Sequence, residues 1–126
     1  MTMKVLVCAF VASLGVATAG TAQAQDLHDL LVTMVDHAGR SGDEADTALS
    51  DFNLGYTADG CDHLHTSVDE AEAASSTLDA IQTGLNDDTS ISDADRADWQ
   101  SHIDEARGNM QTLLTTGHNK LADLCS

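Results

Sequence analysis

From Leu27 onward the small and apolar positions fall at Leu27, Leu31, Met34, Ala38, Ser41, Ala45, Ala48 and Phe52, in alternating steps of four and three. Such steps return to one side of a helix at every turn, so they predict an amphipathic helix with a single buried stripe. Gly39 and Gly42 interrupt it. Each costs about 1 kcal/mol relative to Ala inside a helix, which allows a kink or break over residues 39–43. Residues 53–60 hold two glycines and no stripe, and read as a connection.

A second stripe follows at Cys61, Leu64, Val68, Ala71, Ser75, Leu78, Gln82 and Leu85, with Ile81 beside it. Residues 86–92 are a polar turn in which Ser90 or Ser92 can cap the next helix, and Asp93 and Asp95 then stand where the helix dipole favours anions. The third stripe is Trp99, Ile103, Ala106, Met110, Leu113, Gly117 and Leu124, flanked by Leu114 and Leu121. The alternation of a strand is missing, and the chain contains no proline. The pattern predicts an all-α fold, an up-down-up three-helix bundle with coiled-coil-like spacing. Ala and Gly at inward positions predict close helix packing around a thin core. A thin core leaves room for a homodimer, because helices of a second copy would bury further apolar surface.

The first 24 residues follow a different rule. Lys4 is a minimal positive n-region, residues 5–16 are apolar without charge, and Ala22-Gln23-Ala24 is the small-x-small pattern that precedes a cut. Residues 1–24 read as a signal peptide and residues 25–126 as one acidic domain, which places the mature protein in a periplasm or outside the cell. A membrane span fits less well, because the second half of the stretch turns rich in Ala, Gly, Thr and Gln. Cys8 follows Val7, where lipid attachment wants a small residue.

Charge then narrows the partners. The whole chain has five basic and 21 acidic residues and a net charge of −16, which becomes −17 once Lys4 is removed. Such a surface repels nucleic acid and, after signal removal, anionic membrane, whose binding needs Lys and Arg. A cationic protein or a metal ion is what it attracts. Leu, Ile, Val and Phe fill only about a fifth of the mature chain, near the composition of unfolded sequences. The three stripes argue for a folded one.

Two cysteines survive cleavage, Cys61 and Cys125, at the same end of an antiparallel hairpin. Their distances from the turn differ enough to leave a shortfall of about 10 Å, which bending, unwinding after Gly117 or an unequal turn must close. An even cysteine count in an exported protein favours the bond, with about 4 kcal/mol of stabilisation by the chain-entropy argument. The same end collects His63, His65 and His118, a candidate set with nearby Asp for copper, nickel or zinc. A site that adds Cys61 and Cys125 fits poorly, because His118 and Cys125 lie about 10 Å apart along a helix. His63 and His65, two apart, face different sides.

Asp59 and His63, His65 and Asp69, and Asp98 and His102 are each four apart, a spacing at which carboxylates meet imidazoles and raise their pKa. Protonating all six histidines would take the mature charge from −17 towards −11, although exposed pairs of this kind are ordinary on an acidic helix. Asp87, Asp88, Asp93, Asp95 and Asp98 surround the second turn without the spacing of an EF-hand. Met34 and Met110 lie on stripes and read as core. No Cys-x-x-Cys-His, Gly-x-Ser-x-Gly, His-Glu-x-x-His or phosphate loop occurs, and the mature chain has only Phe52, Tyr56 and Trp99 as aromatics, few to line a pocket. The sequence therefore points to an exported, non-enzymatic helical bundle that acts by binding or protein interaction, without a cofactor. The alternative is a periplasmic copper, nickel or zinc binder.

Overall fold

The structure, a computed structural model, describes the backbone from Ala22 and the side chains from Asp26 to Ser126. The predicted export segment, as far as residue 21, lies outside the described residues. Three helices account for nearly all of the rest: α1 (Ala22–Leu54), α2 (Thr57–Asp87) and α3 (Asp93–Leu124). They run up, down and up, as the stripes predict. The central α2 packs closely along α1 and more loosely along α3.

α1 is continuous through Gly39 and Gly42, so the break that these glycines allow does not occur. Ala38 and Ser41, on either side of Gly39, are 1% and 0% exposed, and the stripe that buries them outweighs a glycine penalty of about 1 kcal/mol each. The helix stops at Gly55, whose φ of 84° is the left-handed conformation that glycine adopts without strain. The Gly55 amide donates to Phe52 O at 3.1 Å and the Tyr56 amide to Asp51 O at 2.9 Å, the paired closing bonds of a Schellman turn. Only Gly55 and Tyr56 separate α1 from α2, so most of the expected connection over residues 53–60 is helical.

The second turn is also shorter than the polar run suggests, because α2 continues to Asp87. Arg96 closes it by donating its guanidinium to the backbone oxygens of Leu85 and Asp88. These are carbonyls that the end of a helix leaves without partners. Asp88, 1% exposed, accepts from the amide and hydroxyl of Ser90 at 2.9 and 2.6 Å. Ser92 is the cap of α3, its hydroxyl accepting from the Asp95 amide at 3.1 Å.

The apolar core is concentrated at the end of the bundle that holds this second turn. Leu27, Leu31, Met34 and Ala38 of α1 meet Ala74, Leu78, Ile81 and Leu85 of α2 and Trp99, Ile103, Ala106 and Met110 of α3. Two second-stripe positions sit differently from the expectation. Ala74 and Ile81 are fully buried, while Ser75 and Gln82 are half-buried at the margin, where Gln82 and Gln100 exchange two amide hydrogen bonds at 2.8 Å.

Glycines set how closely the helices approach at the other end. A Cβ on Gly60 would stand 2.8 Å from the Phe52 ring, and one on Gly117 only 2.6 Å from Val68 Cγ2. Val68 is β-branched and stiff, so it cannot swing aside cheaply. Gly117→Val should therefore lower stability by about 1–3 kcal/mol more than Gly108→Val, which stands in open space on the same helix. Thermal melts of the two variants check this. Equal melting temperatures would mean that α3 slides freely over Val68.

Candidate functional site

The end with the thin core carries most of the side chains singled out for chemistry. Cys61 and Cys125 form a disulfide with Sγ atoms 2.11 Å and Cα atoms 5.7 Å apart. No unwinding after Gly117 is needed, since α3 stays helical to Leu124. The unequal second turn closes much of the gap. Gln82 faces Gln100, and Cys61 lies 21 residues before the one while Cys125 lies 25 after the other, a mismatch of about 6 Å rather than 10 Å. α3 thus starts beyond the end of α2.

The histidines do not gather there. His63 turns towards α1, its Nδ1 bonded to Glu44 Oε2 at 2.5 Å and its Nε2 3.8 Å from Asp51 Oδ2. His118 turns towards the α2 and α3 side, 3.5 Å from Glu72 Oε1, and His65 is exposed. Among the described residues no three His, Cys, Asp or Glu side chains are arranged to hold a metal ion. Of the pairs four apart, His102 and Asp98 approach to 3.7 Å. For His63 the cross-helix Glu44 matters more than Asp59. The Glu44 hydrogen bond raises its pKa above the usual 6.5, desolvation opposes, and the charges of Glu44, Asp51 and Asp59 add to the rise.

His63 is one rung of a polar seam between α1 and α2. In the middle, Ser41 Oγ donates to Ser67 O and Ser67 Oγ to Ser41 O, both at 2.7 Å and both buried. On one side His37 Nδ1 meets Glu70 Oε2 at 2.6 Å, and on the other Glu44 meets His63. The order is His–Glu, Ser–Ser, Glu–His. Reading stripes of apolar residues passes over it, because Ser41 counts there only as a small position and the other members look like a solvated face.

The signal that finds the seam is an internal repeat. Asp36, His37, Ser41, Asp43, Glu44 and Ala45 recur as Asp62, His63, Ser67, Asp69, Glu70 and Ala71, each 26 residues later. A half-turn about an axis between Ser41 and Ser67 lays one copy on the other, so two identical helix faces satisfy one another. The buried hydroxyls fix the register, since sliding by a turn would strand both without partners.

The chain matches no family model, no curated protein and no solved structure. Function must therefore be argued from the side chains themselves. Ser41 and Ser67 are buried at the centre of the two copies, while Asp36, Asp43, Asp62 and Asp69 remain exposed. What the seam can do is hold two helices in register with bonds that depend on charge.

Proposed function

We propose that this protein is an exported acidic helical bundle that acts by binding, through the field and shape of its surface rather than through a reaction. The observation that carries it is the disposition of the histidines. His37, His63, His102 and His118 each face a carboxylate, in four separate pairs. Imidazoles held this way support a diffuse attraction of cations more than a coordination site. The net charge of −17 selects a cationic protein or a metal ion as partner and disfavours nucleic acid and anionic membrane. Among the described residues no helix is long and apolar enough to cross a membrane. Periplasmic or secreted localisation rests on the first 24 residues.

Two further features support protein interaction. The disulfide ties α2 to α3 at one end, and the Arg96 cap closes the second turn at the other. Leu49, Leu54, Tyr56 and Leu124, all well exposed, lie towards the disulfide end.

Titration of Cu(II), Ni(II) or Zn(II) into the mature protein by calorimetry tests the proposal. Weak multi-site binding that fades between low and high salt is the expected result, because screening acts on a diffuse field far more than on direct coordination. A stoichiometric, salt-resistant site, lost in His65→Ala with His118→Ala while helicity survives, would make metal handling the function instead.

A further inference from the structure

The Glu44, His63 and Asp51 group sits on the half of α1 that the apolar core does not reach. The core residues of α1 end at Ala38 in the main cluster, and α2 is tied to α3 at this end by the Cys61–Cys125 bond. The C-terminal half of α1 has no covalent tie. It is held by the serine pair, by Ala48, by Phe52 against Gly60, and by the two carboxylates around one imidazole.

We propose that His63 is a proton-operated clasp between α1 and α2, closed when its imidazole carries both protons and loosened when it loses one. Its two nitrogens face two different carboxylates of α1, one in a hydrogen bond and one at ion-pair distance, so only the imidazolium presents a proton to both. Asp51 Oδ2, shielded from solvent, has no hydrogen-bond partner, and it stands at an ion-pair distance of 3.8 Å from Nε2. Removing the proton leaves that oxygen and a lone pair on one ring nitrogen facing carboxylates alone. The charges that bear on His63 come from Glu44 and Asp51 on α1 and Asp59 on α2, all negative, with none from α3. Each favours the imidazolium.

The sign of the effect follows. His63 holds its proton more tightly folded than unfolded, so its contribution is fully present below the unfolded value of about 6.5 and disappears as the pH rises through the higher folded value. At pH 6 the carboxylates are still ionised and the clasp is closed. At pH 9 it is open. Only the half of α1 beyond Ser41 should loosen, because the twelve side chains of the apolar cluster do not titrate and no histidine belongs to it. This device does not depend on which partner the bundle binds.

Amide hydrogen exchange of the disulfide-intact mature protein at low ionic strength, expressed as protection factors, reads the clasp directly. Between pH 6 and pH 9, protection over residues 44–54 should fall several-fold more than protection over residues 78–85. In His63→Gln and in Glu44→Gln that extra fall should vanish, and the proton NMR titration of His63 in the native chain should lie above 6.5. Should either variant fail to fold, the NMR titration and the native exchange profile still decide. An equal change in both segments, an unchanged fall in a folded His63→Gln, or a His63 midpoint at or below 6.5 would overturn the proposal.

Discussion

Leu78→Asp leaves the chain unfolded at neutral pH. Leu78 is fully buried on the most regular stripe, among side chains from all three helices. Truncating such a leucine costs about 2–5 kcal/mol, and placing a carboxylate there without a partner adds several more. A domain of this size has about 5–15 kcal/mol in total, and a core built so largely of Ala and Leu puts it towards the lower end. Far-UV circular dichroism should show helix lost in Leu78→Asp and kept in Leu124→Asp, whose side chain is 43% exposed. A helical Leu78→Asp would mean that the helices do not depend on their shared core.

Breaking the disulfide should have the next largest effect. The bond closes a loop across 64 residues, and the chain-entropy argument assigns it about 4 kcal/mol. It joins α2 and α3 where no large apolar cluster does, so little else replaces it. Cys61→Ser with Cys125→Ser should shift the urea midpoint strongly downward, and reductant should do the same to the native protein. Under denaturing conditions without reductant, neither cysteine should react with a thiol reagent. Free thiols, or midpoints that ignore reductant, would show that the two cysteines are not bonded in solution.

The three helices and most of their buried faces were legible in the sequence because they follow one rule, the return of small and apolar residues to one side. Leu27 to Phe52 needed no other information. The helix ends were less legible. Residues 57–60 carry no stripe, yet they are helical because the Schellman turn at Gly55 reverses the chain within two residues and Gly60 lets Phe52 lie against the backbone. Likewise the Cys61 and Cys125 mismatch looked like about 10 Å only because both helices were assumed to start level at the turn. Arg96, capping α2 from within α3, shows that they do not.

The candidate site was legible only as a list of residue types. His63 was correctly marked as a histidine near carboxylates, but spacing along one helix pointed to Asp59, whereas the decisive partner is Glu44, 19 residues away on α1. Partners across helices depend on register, and register here is set by Ser41 and Ser67. Hydropathy assigns that pair no role, although the repeat around it names both.

Trp99 is the chain's one tryptophan, and it is packed at the apolar end. Its emission therefore reports on that end alone and is blind to the serine and histidine rungs. A single sharp fluorescence melt would say nothing about whether the far half of α1 had already come away. Only the difference between that melt and one followed by backbone signal measures how firmly the two ends of the bundle are coupled. Were the two curves to coincide, the seam and the core would behave as one cooperative unit. A backbone signal that decays first would make the hairpin end a separate and weaker one.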